Sequence, residues 1–172
     1  MKTVFIGSSS YETIDKKYID LSKEVALLCV KKDYKLKYGA SLKSMMGTIY
    51  NTFMENNKKV LGVQLETYKE DAKDLNCELV MVDSTLKQVE IFSKSDILLF
   101  LPGGIGTLNE IVNSITLKRN KEINGKIIIF NYDNFFDYLF KFISSLEEKS
   151  FSKKEELFKI VNTMEELKKE LN

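Results

Sequence analysis

The chain has 172 residues with 26 basic and 25 acidic side chains, a formal net charge of +1, which excludes the electrostatic footprint of a nucleic-acid or anionic-membrane binder. It contains no histidine, so histidine metal ligands, Ser-His-Asp and Cys-His catalysis and imidazole acid-base chemistry are excluded as well. This length suits one domain, residues 1–172, able to bury roughly 70% of its extended-chain surface, and its chemistry must rest on carboxylates, lysines, hydroxyls or backbone amides.

Residues 2–6 read as a first strand that runs into Gly7-Ser8-Ser9-Ser10. The apolar run is too short for a signal peptide and no cleavage-type region follows. No run approaches the length of a membrane span, so a cytoplasmic protein is expected. A helix over about residues 14–31 should carry Tyr18, Leu21, Val25 and Leu28 inward. Residues 34–38 form the second expected strand, and Tyr38-Gly39-Ala40-Ser41 turns into a helix over about 42–55 containing Met45, Met46 and Gly47. Residues 59–63 make a third strand. The polar stretch 64–76 reads as a mobile surface segment placed to lie over a ligand, followed by a short strand at 77–82 and a helix at 84–95. Cys29 and Cys77 are isolated and read as core thiols.

Residues 97–101 are an uninterrupted apolar run, long enough for a strand buried on both faces, and the run stops at Pro102-Gly103-Gly104. A helix over 107–118 follows, with Thr107 as its cap and Leu108, Ile111, Val112 and Ile115 as a core-facing stripe. Strand, glycine loop and helix N-terminus in that order make an anion site: unpaired backbone N–H groups and the positive end of the helix dipole converge where glycines let an anion approach. The residues in that loop are Gly103, Gly104, Gly106 and Thr107. After a charged loop at 118–122, residues 127–131 form a strand, and 134–147 a helix with Phe135, Tyr138, Leu139 and Phe142 on its buried side. A short strand at 158–161 and a charged helix from Thr163 close the chain. Strands alternate with helices throughout, so the fold class is α/β, a single doubly wound, mainly parallel sheet with helices on both faces. In such a sheet ligands bind at the C-terminal strand ends, where Gly7-Ser8-Ser9, Tyr38-Gly39 and residues 102–107 all fall.

Pro102-Gly103-Gly104-Ile105-Gly106-Thr107-Leu108-Asn109-Glu110 resembles the PGGxGTxxE signature of the Lonely Guy (LOG) family, Rossmann-like phosphoribohydrolases that were once called lysine decarboxylases. The motif differs from GxGxxG and from the P-loop, since no Gly-Lys-Ser/Thr occurs. Weaker similarity runs through Gly7-Ser8-Ser9, Tyr38-Gly39, Met45-Met46-Gly47 and residues 126–131. The resemblance implies hydrolysis of a nucleoside 5′-monophosphate to base and ribose 5-phosphate, with no metal or organic cofactor, and a homodimer paired through helices beside the glycine loop, for which Val89, Ile91 and Phe92 are spare apolar residues. It implies that Glu110 is the catalytic carboxylate, serving an oxocarbenium-like ribose as carboxylates do in glycosidases, and that Gly103, Gly104, Gly106 and Thr107 hold the phosphate. Gly7, Ser8, Ser9, Tyr38, Met46 and Gly47 are then candidates for the ribose and base. The family's catalytic arginine falls at Lys87, Ala40 and Ser41 stand where it has glycines, and Asn109, Asn113 and Leu117 where plant-like members commonly carry Glu, Glu and Trp.

Each of these residues also has a plain structural reading. Thr107 and Glu110 form a capping-box pattern, Ser8 and Ser9 suit a capping turn, Met45 and Met46 suit a core, and Lys87 suits a solvated helix face. Two other functions stay open: a non-catalytic nucleotide or cofactor carrier that keeps the loop, and an N-ribosyl enzyme that needs no 5′-phosphate.

Overall fold

In the computed structural model, which describes residues 1–172, seven strands form one sheet in the order β4-β3-β2-β1-β5-β6-β7, with every neighbouring pair parallel. They are β1 (Thr3–Gly7), β2 (Lys35–Tyr38), β3 (Val60–Leu65), β4 (Glu78–Val82), β5 (Ile97–Phe100), β6 (Lys126–Phe130) and β7 (Lys159–Val161). The helices are α1 (Lys16–Lys31), α2 (Ser44–Glu55), α3 (Thr85–Ser93), α4 (Ile105–Arg119), α5 (Asp137–Glu148) and α6 (Met164–Glu170). No helix is long and apolar enough to cross a membrane.

Strand side chains alternate between two separate cores, as the two-residue period requires. Val4, Ile6, Leu99 and Phe130 face a core closed by α1, α2 and α6, while Phe5, Leu98, Phe100 and Ile129 face one closed by α3, α4 and α5. Cys29 belongs to the first core, where burial pushes its thiol up to about 12. Cys77 is half-buried and free.

From β4 at the sheet edge the chain returns through α3 to β5, which pairs with β1. This reversal makes β1/β5 the switch point, where the ends of adjacent strands lead to helices on opposite faces.

Several elements differ from the sequence expectation. Residues 64–76 are not loose: Gln64 and Leu65 complete β3, Glu66–Ala72 forms a 3₁₀ turn, and Ala72 is buried in the first core. The Asn76 N–H donates to the Tyr50 hydroxyl at 2.9 Å, tying that segment to α2. Phe136, the residue that precedes α5, enters the core, whereas Phe135, Tyr138 and Phe142, expected on the buried side, are 44%, 85% and 61% exposed. Leu108 and Val112 of α4 also face outward, leaving Ile111 as the buried member of that stripe. Val89 and Phe92 are core residues, Phe92 stacking on Phe5 with centroids 4.1 Å apart.

Candidate functional site

At the switch point the fully buried β5 delivers the chain to Gly103, where a Cβ would fall 2.2 Å from Thr107 Oγ1. Only glycine permits that approach. Helix α4 begins at Ile105 with Gly104 as N-cap, two residues earlier than expected, so Thr107 lies inside the first turn. Its hydroxyl donates to the Ser8 carbonyl at 3.4 Å and fastens the glycine loop to the β1 loop. No side chain caps α4, unlike α1, α3 and α6, which Asp15, Ser84 and Thr163 cap. The first intrahelical bond is Leu108 N–H to Gly104 carbonyl, 3.0 Å. The N–H groups of 105–107 are therefore left at the rim, beside Gly104 and Gly106, where an added Cβ would meet nothing within 4 Å.

Glu110 follows on the second turn of α4. The capping box does not form, because Thr107 is helical and Gly104 holds the cap position. The carboxyl lies over the end of β1 instead: a Cβ on Gly7 would sit 2.9 Å from Glu110 Oε2 and 2.8 Å from the Phe100 ring. Part of the side chain remains open to solvent, but the surrounding protein removes most of the water around the carboxyl and pushes its pKa up to about 8. Desolvation is the cause, with no cation or hydrogen bond opposing it.

Around this pair the other expected residues divide. Ser8 is buried and its hydroxyl has no partner. The Ser9 hydroxyl accepts from Tyr11 N–H at 3.1 Å, and its carbonyl accepts from Met46 N–H at 3.2 Å, joining α2 to the same rim. Met46 lies over Gly39, its methyl 3.2 Å from where a Cβ would stand. Gly47 is needed inside the fold, since the Leu42 carbonyl occupies its Cβ position at 2.0 Å. Tyr38 is fully enclosed, stacked on Tyr50 at 5.7 Å, and burial raises its phenol well above the ordinary range.

Lys87 lies at the same strand-end rim but over the β4 side. Its neighbour Gln88 faces the sheet and donates to the Val63 carbonyl at 2.9 Å, while Lys87 faces solvent and pairs with Asp83 at 2.6 Å. Asp83, then Glu66 and Glu90, hold its ammonium above its usual range. No hydrogen bond or ion pair joins it to Glu110 or the glycine loop.

Two features of the rim lie outside the sequence expectation. Ala40 is buried and left-handed (φ 51°), and the Gln64 amide supports that turn by donating to the carbonyls of Gly39 and Ala40 at 3.3 Å each. The second is an aromatic cavity of about 240 Å³ that adjoins Gly103 and Gly104, with Tyr18 and Phe135 in its wall. The paired left-handed residues before Phe135, an Asp-Asn dipeptide, were its available signal.

Residues 46–171 match the family described as "Possible lysine decarboxylase". Among curated proteins, the chain is similar to cytokinin riboside 5′-monophosphate phosphoribohydrolase LOG5 of Arabidopsis thaliana, 29% identical over 87% of this chain and 66% of that protein. It is also similar to a probable enzyme of the same name, LOGL6 of Oryza sativa subsp. japonica, 27% identical over 86% of this chain and 60% of that one. The chain thus spans about two thirds of the length of these relatives. Among solved structures, a molybdenum cofactor binding protein from Rippkaea orientalis superposes with a TM-score of 0.73 at 15% identity, over 100% of this chain and 99% of that one. The DNA processing protein A of Streptococcus pneumoniae gives 0.64 at 10% identity, over 100% of this chain and 62% of that one. At these identities the structures share the fold.

Proposed function

Because the chain belongs to the Lonely Guy family, the group whose description reads possible lysine decarboxylase, we propose that it hydrolyses the N-glycosidic bond of a nucleoside 5′-monophosphate, AMP or a cytokinin riboside monophosphate, to the free base and ribose 5-phosphate. The observation that carries this reading is Glu110: an unpaired, desolvated carboxyl packed on Gly7, one turn from an uncapped helix end. The curated relatives are themselves named phosphoribohydrolases.

On this reading the 5′-phosphate accepts hydrogen bonds from the N–H groups of 105–107 beside Gly103, Gly104 and Gly106, with Thr107 bracing the loop. The ribose then lies over Gly7 against Glu110, near Ser8, Ser9 and Met46, with Gly47 and Tyr38 acting from behind as packing. As the bond to the base lengthens, positive charge grows on the ribose, and Glu110, which holds its proton below about pH 8, stabilises that charge strongly once the proton has left it as a carboxylate in a dry site. Glu110 also positions the attacking water. Lys87 supplies positive charge from the rim once it leaves Asp83, without the two-oxygen grip of an arginine. A misplacement of about 1 Å can cost on the order of a hundredfold, so turnover is slow. Lys87→Ala should remove it and Lys87→Arg should maintain or raise it, measured as adenine released from saturating AMP.

The outward apolar residues of α4 and α5, Leu108, Val112 and Phe142, support a homodimer that buries this face. A second reading, a carrier that binds without reacting, is favoured by one observation: no cation is fixed beside Glu110. Incubation with AMP and with adenosine, followed by product identification, separates the readings. The proposed enzyme yields adenine and ribose 5-phosphate from AMP alone; an N-ribosyl enzyme of another kind cleaves adenosine; a carrier binds AMP and returns it intact.

A further inference from the structure

The glycine loop has two sides, and Glu110 occupies only one of them. Glu110 belongs to α4, on the face whose core holds Phe5 and Phe100, whereas Tyr18 and Met45 pack on the opposite core. On that opposite side Tyr11, Ile14, Tyr18, Met45 and Phe135 line the cavity of about 240 Å³, which reaches Gly103 and Gly104. No charged side chain lines it, and apart from the tyrosines only Ser9 and Thr13 bring hydroxyls. Pockets for drug-sized ligands start at about 300 Å³, so this one suits a single ring system rather than a whole nucleotide.

Its outer wall is shaped by a tight turn. Asp133 and Asn134 are consecutive left-handed residues, φ 56° and 57°. Lys17 pairs with Asp133, and the Asn131 side chain accepts from Phe136 N–H at 2.8 Å, so this turn is fixed at both ends. The turn sends Phe136 into the core and leaves Phe135 at the cavity, 44% exposed and edge-on to Tyr18 at 6.2 Å. An aromatic edge left in water at a cavity mouth is a surface for stacking.

We infer that this cavity receives a planar aromatic ring attached through a second phosphate to the nucleotide on the Glu110 side. The ligand class is a diphosphate-bridged molecule with a ring at each end. The inference rests on the reading of the glycine loop as a phosphate site. Gly104, with nothing within 4 Å of its Cβ position, leaves room for the second phosphate between the two sides.

Calorimetric titration of the whole chain with AMP, ribose 5-phosphate and NAD tests this. Base stacking lost by alanine substitution costs about tenfold or more in affinity, so NAD should bind at least about tenfold more tightly than AMP. Phe135→Ala should abolish that advantage while leaving AMP affinity within about twofold. Tyr11→Ala, at a side chain 74% exposed, should act in the same direction without threatening the fold. The inference is overturned if NAD binds no more tightly than AMP, if both variants weaken AMP and NAD alike, or if neither ligand binds. NAD preference without AMP hydrolysis would sink the hydrolase and keep the cavity; AMP hydrolysis without NAD preference would do the reverse.

Discussion

Glu110 shows how one residue type at one spacing carries two opposite meanings. Its position three residues after Thr107 is that of a capping box, and the family motif makes it a catalytic group. The local sequence could not choose, because the choice depends on where the helix starts, and that is set by Gly103 yielding to Thr107 and by Thr107 bonding to Ser8 across the sheet. The resulting desolvation has a measurable thermodynamic trace. A carboxyl raised from 4.5 to about 8 keeps its proton in the folded chain where the unfolded chain releases it, so its contribution to stability is full below the unfolded value and is lost as pH rises through about 8. Glu110→Gln has no such proton to lose. In urea melts the variant should gain on the parent from about pH 4.5 to about pH 8 and level off above that, by up to a few kcal/mol. Parallel pH profiles would mean that the carboxyl is solvated like any surface glutamate.

Helices α4 and α5 were legible as helices but not in orientation. Phe135, Tyr138, Leu139 and Phe142 recur at helical spacing, and so do Phe136, Leu139, Phe140 and Ile143; periodicity alone cannot say which stripe meets the sheet. The deciding feature is the turn at Asp133 and Asn134, which rotates the helix so that Phe136 enters the core and Phe142 faces water. Two substitutions of the same residue type read this out. Phe136→Ala should cost about 3–5 kcal/mol as a core truncation, and Phe142→Ala within about 0.5 kcal/mol in the monomer, both from chemical denaturation. Equal costs, or the reverse order, would restore the stripe that spacing suggested. Lys87 is a parallel case: the α3 segment was readable, but only the Gln88 contact with Val63 reveals that Lys87 points outward.

At the scale of the molecule, the parallel sheet was legible because inner strands are apolar on both faces, as residues 97–100 and 127–130 are, and because polar glycine turns punctuate them. The strand order was not, since nothing local in Thr85–Ser93 records that this helix carries the chain back from the edge to the middle of the sheet. That return creates the switch point and so the site. The same arrangement leaves an apolar face on α4 and α5, from which a dimer of about twice 19.9 kDa is expected by light scattering. Phe142→Asp should convert it to a monomer that stays folded and melts lower than the dimer by an amount that grows with parent concentration, and a parent that is monomeric at micromolar concentration would rule the dimer out. Whether Glu110 reacts while the loop binds is decided by following AMP turnover and AMP binding together in the parent and in Glu110→Gln. The parent should release adenine and ribose 5-phosphate, the variant should be slower by about a hundredfold or more, and both should bind AMP with similar affinity; equal rates, or AMP recovered intact from the parent, would show that Glu110 is not the reacting group.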